Sequence, residues 1–104
     1  MRVAVSSSGR TLESPVDPRF GRSPYYIIIE TDTMEYDVLN NTRMSAPGGV
    51  DAAQIVAAEN IDVVLAGAIG PNSSKLLSQA GIKIVKDVRG SVREALCIFL
   101  EGKL

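Results

Sequence analysis

The chain has 104 residues, of which 45% are hydrophobic and 22% are charged, and its formal net charge at pH 7 is −1. This length predicts one domain, residues 1–104, with an ordinary buried core, and the near-neutral charge argues against a nucleic acid or an acidic membrane as partner. Histidine is absent and Cys97 is the single cysteine, which excludes Ser-His-Asp and Cys-His nucleophiles, an intramolecular disulfide and a multi-cysteine metal cage.

The first half of the chain predicts three strands. The β-branched run RVAVSS (2–7) is typical of a buried strand, and YYIIIET (25–31) and EYDVLNN (35–41) are expected to pair as a hairpin. Between the first two strands lies a loop from about residue 8 to 24, rich in glycine, proline, serine and charge. Such a length is unusual in a compact domain, so we expect the loop to be mobile when no ligand is bound.

The second half alternates between helix and strand patterns. Pro71 suits the first turn of a helix and Gly81 its C-terminal end, while Ser91 and Glu94 have the spacing of a capping box. The apolar part of the N-terminal segment is too short for a signal peptide, and no apolar run approaches 18 residues, so we expect a cytoplasmic protein. In order, the segments are VDAAQIVAAEN, DVVLAG, IGPNSSKLLSQAG, IKIV and SVREALCIFLEGKL.

The order β-β-β-α-β-α-β-α predicts an α/β fold with a five-stranded mixed sheet and three helices packed on it. A hairpin followed by right-handed crossovers gives the strand order 3-2-1-4-5, with only the second strand antiparallel to the others. The N-termini of all three helices then lie at one edge of the sheet, together with the 8–24 loop. Open α/β sheets bind their ligands at this edge.

Three segments at that edge have residues suited to an anion. Arginine binds carboxylate or phosphate through paired hydrogen bonds, glycine permits close approach of the backbone, and the free N–H groups of a helix start carry partial positive charge. We therefore predict that these segments form an anion-binding site, and we expect no simple divalent metal to bind tightly, because the chain lacks histidine and has a single cysteine. Its candidate residues are Arg19, Phe20, Gly21 and Arg22 in the loop, Gly48 and Gly49 before the first helix, and Gly67, Gly70, Asn72 and Ser73 before and within the second.

A purely structural interpretation of the same residues stays open. The glycines could serve only turns and caps, and the two arginines could pair with Asp17, Glu13 or Asp51 in surface salt bridges that contribute little to stability. Neither glycine segment matches a P-loop or the dinucleotide fingerprint, so no nucleotide is indicated. Cys97, beside the apolar stripe of the last helix, is expected to be a small packing residue.

Two motifs carry a resemblance to a known family. They are D-x-R-F-G-R-S, residues 17–23, and A-G-x-I-G-P-N, residues 66–72. With the segments around them they make nearly the whole chain resemble the dinitrogenase iron–molybdenum cofactor biosynthesis family, which includes NifX, NafY and the C-terminal part of NifB. The resemblance implies a ribonuclease-H-like three-layer fold, in agreement with the order of elements above.

The resemblance also implies a function. Family members bind an anionic iron–sulfur or iron–molybdenum cofactor precursor and carry it between metal-cluster assembly proteins, without catalysis. Their clusters are generally thought to use histidine or cysteine ligands near the first helix, whereas RMSAPGGVD (43–51) has neither, which leaves an electrostatic grip by Arg19, Arg22 and backbone N–H groups. The alternative is a protein-interaction or regulatory domain of the same fold that has lost cluster binding.

A nuclease, the other activity that this fold suggests, is disfavoured. Two-metal nucleases need several carboxylates at the sheet edge. The first strand has none, Asp62 lies at the wrong end of the fourth strand, and Asp51 alone is insufficient.

Overall fold

The computed structural model describes residues 1–41 and 50–104 and has the predicted order of elements. Five strands and three helices are assigned in the described residues. The strands are β1 (Arg2–Ser7), β2 (Tyr25–Glu30), β3 (Glu35–Asn40), β4 (Val63–Leu65) and β5 (Lys83–Val85). The helices are α1 (Val50–Ala57), α2 (Pro71–Gln79) and α3 (Val92–Leu100).

The sheet has the predicted strand order, β3-β2-β1-β4-β5. β2 is antiparallel to both β1 and β3, and the pairs β1–β4 and β4–β5 are parallel. The predicted arrangement, with β2 alone reversed, is therefore confirmed. Because β1, β4 and β5 run in the same direction, the loops that follow their carboxyl ends meet at one edge of the sheet.

Alternating side chains of the central strands fill two separate cores. Val3 and Val5 of β1 pack with Ala95 and Leu96 of α3 on one face of the sheet, whereas Ala4 lies in the core of the other face. That second core also contains apolar residues of α1 and α2, including Ala52, Val56 and Leu77. Helices thus cover both faces, which gives the three layers expected from the sequence.

The helices end earlier than their sequence patterns. The last helix stops at Leu100 because Gly102, with φ of 77°, leaves the helical region. Similarly, α1 ends at Ala57, and Asn60 has φ of 57°. Gly81 follows α2 with φ of 81°, as its position at the helix end predicted.

Helix α3 confirms one prediction and contradicts another. The Ser91 hydroxyl accepts a hydrogen bond from the N–H of Glu94, whose carboxylate accepts one from the N–H of Ser91, so the predicted capping box is present. Cys97, expected to pack against the core, is exposed because the buried stripe of α3 runs through Val92, Ala95 and Leu96. Within the described residues, no helix has the length and apolar character needed to cross a membrane.

Candidate functional site

The arginine loop, residues 17–23, begins with a buried aspartate that shapes the backbone. Asp17 is 6% exposed, and its carboxylate accepts hydrogen bonds from the N–H of Arg19 at 2.9 Å and from the Ser8 hydroxyl at 3.0 Å. A bond from residue i to the N–H of residue i+2 is an Asx turn, which reverses the chain locally. Asp17 is therefore used in building the loop.

The middle of the arginine loop is anchored in the core. Phe20 is 1% exposed, and its ring packs against that of Tyr26 with 5.1 Å between the ring centroids. The Tyr26 hydroxyl donates a hydrogen bond to the Phe20 carbonyl. Because the Phe20 side chain is buried, its contribution to a ligand site is to hold the neighbouring arginines in place.

A buried asparagine completes this anchor. The side-chain amide of Asn41 donates to the Ser23 carbonyl at 2.9 Å, to the Gly21 carbonyl at 3.3 Å and to the Tyr26 hydroxyl at 3.2 Å. Ser23 is itself fully buried, and its hydroxyl bonds to the backbone of Ser7. The end of β3 and the start of β2 thus fix the backbone on either side of Arg22.

Burial raises the pKa of Tyr26 well above its ordinary value of 10.0, and the negative charge of Asp17 adds to this shift. The hydroxyl is therefore held in its protonated, hydrogen-bond-donating form. Neither Tyr26 nor Asn41 was among the predicted site residues. Tyr26 could have been identified from its place in an isoleucine-rich strand, because a tyrosine buried there needs a hydrogen-bond partner for its hydroxyl.

The arginine loop lies directly against the loop between β4 and α2. Phe20 N–H donates to the Ala68 carbonyl at 2.8 Å, and Ala68 N–H donates to the Pro18 carbonyl at 2.7 Å. A Cβ atom on Gly67 would be 2.7 Å from Pro18 backbone atoms, which is far too close. Two of the three predicted segments therefore meet, and Gly67 is explained by this backbone contact alone.

Helix α2 opens beside this junction. Gly70 is its N-cap with extended backbone, it makes no side-chain cap bond, and a Cβ atom there would meet nothing within 4 Å. Pro71 is the first helical residue and Asn72 is exposed, whereas Ser73 is buried. Since the first turn contains no acidic residue, the partial positive charge of the helix start is not neutralised from within the helix.

Both arginines of the loop are exposed, and neither guanidinium has an ion-pair partner among the described side chains, those of residues 1–41 and 52–104. Two of the acids considered as partners are bonded elsewhere. Glu13 bonds to Arg93 at 2.7 Å, and Asp17 accepts from backbone and serine. The salt-bridge alternative therefore fails for these two acids, while the side chain of Asp51 lies outside the described part.

Gly48 and Gly49, the third predicted segment, also lie outside the described residues. Elsewhere in the chain, the described residues contain no group of three or more cysteine, aspartate or glutamate side chains that could hold a metal ion. The donors that these two adjoining segments carry are the guanidinium groups of the loop and backbone N–H groups. This set suits the outer atoms of an anion and does not suit direct ligation of a metal.

Comparison with known proteins shows the family to which this chain is similar. Residues 1–102 match the model of the family described as dinitrogenase iron-molybdenum cofactor. An uncharacterised protein of Methanocaldococcus jannaschii is 30% identical over 109 residues, an alignment that covers 100% of this chain and 89% of the relative.

Two solved structures are similar over most of their length. The apo form of the orange protein from Desulfovibrio gigas is 35% identical, with a TM-score of 0.94, and the match covers 98% of this chain and 88% of that one. The NMR structure of a candidate NifB protein from Thermotoga is also 35% identical, with a TM-score of 0.86, covering 98% and 89%.

Proposed function

This chain belongs to the dinitrogenase iron–molybdenum cofactor family, and from that premise we propose that it is a small non-catalytic carrier of an anionic iron–sulfur or iron–molybdenum cofactor precursor. The cargo would be held at the sheet edge between the arginine loop and the start of α2. Metal-cluster assembly proteins are the partners that such a carrier would serve in the cytoplasm. The ribonuclease-H-like classification belongs to the same proposal.

The observation that supports this proposal is the contrast between the contacts made by the different residues of the D-P-R-F-G-R-S motif. Asp17 forms the turn, Pro18 pairs with the β4–α2 loop, and Phe20 fills the core. Further along, the Gly21 carbonyl accepts from Asn41, and the Ser23 hydroxyl bonds to neighbouring backbone. Only the two arginine side chains have no such contact in the described residues. A loop with this many backbone and core contacts, carrying two cations that have no ion-pair partner in the described residues, is well suited to present them to an anion.

The binding mode would be electrostatic. Arg19 and Arg22 supply charge, and the backbone N–H of Asn72, at the start of α2, supplies a donor. A hydrogen bond to a charged group contributes about 1.5–3 kcal/mol. A few such bonds would hold a cluster through its outer sulfur or oxygen atoms, so that the cargo keeps its metal ligands and can be passed on.

The test is anaerobic incubation of the protein with isolated iron–molybdenum cofactor, followed by gel filtration and absorbance of the protein peak. We expect the double variant Arg19→Ala/Arg22→Ala to bind at least tenfold more weakly, because about 1.4 kcal/mol corresponds to a factor of ten. Its melting temperature should change little, since exposed charges contribute little to folding. Raising the salt concentration should weaken binding by the wild-type protein.

A matched control removes two positive charges away from the site. Lys83 starts β5 and Lys103 follows α3, both remote from the edge where α2 begins. The variant Lys83→Ala/Lys103→Ala therefore has the same net charge as the arginine variant and should bind the cofactor normally. If both variants bind the cofactor as tightly as the wild type does, the proposed arginine site is wrong. Co-elution with a partner protein, but never with the cofactor, would favour the protein-interaction alternative.

A further inference from the structure

A cavity lies at the same edge of the sheet, beside the start of α3. Its volume is about 610 Å³, within the range of small-molecule sites. Its walls come from the 13–18 segment, from Gly67 and Ala68, and from Asp87 to Ser91. We name it the α3 cleft. It shares Pro18, Gly67 and Ala68 with the arginine loop junction, but neither Arg19 nor Arg22 lines it.

The α3 cleft has apolar walls on a firmly bonded frame. Pro15, Val16, Pro18 and Val88 contribute apolar surface. Three backbone bonds hold the walls together, from Val16 N–H to the Gly90 carbonyl at 2.8 Å, from Val88 N–H to the Ala66 carbonyl at 3.0 Å, and from Asp87 N–H to the Gly67 carbonyl at 2.8 Å. A cleft that is formed before binding loses little entropy when a ligand enters.

The charged groups around the α3 cleft favour a ligand that has a single carboxylate. Arg89 is exposed, and its guanidinium has no ion-pair partner among the side chains of residues 1–41 and 52–104. The N–H groups of Arg89 and Gly90 make no hydrogen bond within the described part of the chain. Glu13 is already paired with Arg93, and Asp87 supplies an opposing negative charge. The start of α3 offers no further donors at Ser91 or Glu94, because the capping box uses their N–H groups. A polyanion would therefore be disfavoured in this cleft.

We propose that the α3 cleft binds a small organic acid with one carboxylate and an apolar body. The carboxylate binds to Arg89 and the adjoining backbone N–H groups, and the apolar body packs against the proline and valine walls. This site is separate from the cluster site proposed above and does not depend on it. The organic acid with its apolar body and the anionic cluster would thus occupy adjacent positions along one edge of the sheet.

The test is titration of ¹⁵N-labelled protein with acetate, hexanoate, phenylacetate and indole-3-acetate, followed by amide chemical shifts. We expect saturable shifts at Ala68, Arg89 and Gly90 with phenylacetate or indole-3-acetate, and much weaker effects with acetate. Phenylacetamide, which has the same shape without the charge, should bind at least tenfold more weakly. Phenylsuccinate, a dianion, should also bind more weakly than phenylacetate.

Variants distinguish binding of the acid in the α3 cleft from nonspecific electrostatic attraction of anions. Arg89→Ala should weaken phenylacetate binding at least tenfold, whereas Lys86→Ala, a nearby exposed cation outside the cleft, should not. The Arg19→Ala/Arg22→Ala variant should bind phenylacetate normally even if it no longer binds the cofactor. The proposal is overturned if none of the acids gives saturable shifts at these amides, if Arg89→Ala binds like the wild type, or if the shifts depend on the arginine loop instead.

Discussion

The substitution Tyr26→Phe tests whether the arginine loop is held by the buried contact between Tyr26 and Asn41. The change removes one oxygen atom from a fully buried side chain and keeps the ring that packs on Phe20. The Phe20 carbonyl then loses the hydroxyl donor, and the Asn41 amide loses one of its acceptors while it keeps the Ser23 and Gly21 carbonyls.

The expected loss of unfolding free energy in Tyr26→Phe follows from the buried polar groups that lose a hydrogen-bond partner. A buried polar group that loses its hydrogen bond costs about 1–3 kcal/mol. Each kcal/mol shifts the melting temperature of a domain of this size by about 4–8 °C. The measurement is urea unfolding at pH 7 followed by circular dichroism. Tyr36→Phe is the matched control, because Tyr36 is 40% exposed and its hydroxyl makes no hydrogen bond in the described residues.

The pH dependence gives an independent check on the same contact. The pKa of Tyr26 is raised in the folded protein above its ordinary value of 10.0, mainly by burial. Its contribution to stability is therefore fully present below pH 10 and is lost as the pH rises from that value toward the folded pKa. The difference in unfolding free energy between wild type and Tyr26→Phe should shrink above pH 10. A difference that stays constant, or an equal loss in Tyr36→Phe, would refute the reasoning.

Other predictions concern backbone contacts and caps. Gly67→Ala should lower the unfolding free energy by about 1–3 kcal/mol through overpacking against Pro18, whereas Gly70→Ala should be close to neutral, and urea unfolding compares them. Glu94→Gln should remove the contribution of Glu94 to the loss of stability as pH falls below 4.5, because hydrogen bonds from Ser91 lower the pKa of Glu94; thermal unfolding of the variant and the wild type from pH 3 to 6 measures this. In hydrogen exchange, the Val16, Asp17 and Phe20 amides, which donate to backbone carbonyls, should be protected relative to the amides of the 8–24 loop that have no such bond, and equal rates throughout would contradict this.

The sheet could be predicted because its determinants are local. The alternation of β1 places Val3 and Val5 on one face and Ala4 on the other, and that pattern is readable from three consecutive residues. Strand order then followed from the short hairpin connection and the two strand–helix–strand units. Helix ends were less predictable, since patterns such as that of the last helix continue past Leu100, where a glycine conformation terminates it.

The contact between two of the three predicted segments could be predicted from the sequence, whereas the contacts of their individual residues could be predicted only in part. Gly67 was predicted to let a ligand approach, but its space is occupied by the backbone of Pro18, which is 49 positions earlier in the chain. No local pattern encodes such a contact. For the same reason the Asn41 amide, which joins the end of β3 to the arginine loop, could not be identified from the hairpin sequence.

The long-range contacts change how the D-P-R-F-G-R-S motif is interpreted. From the sequence alone, four of its residues, Arg19, Phe20, Gly21 and Arg22, were predicted to contact a ligand. With Asp17, Phe20 and Ser23 buried and bonded, the charged side chains that stay exposed in the motif are those of Arg19 and Arg22, and these are the proposed ligand contacts. Conservative changes should therefore separate the two roles. Arg22→Lys should keep the fold and retain part of the electrostatic attraction, whereas Phe20→Ala should destabilise the core by about 3–5 kcal/mol and impair binding only through the position of the loop.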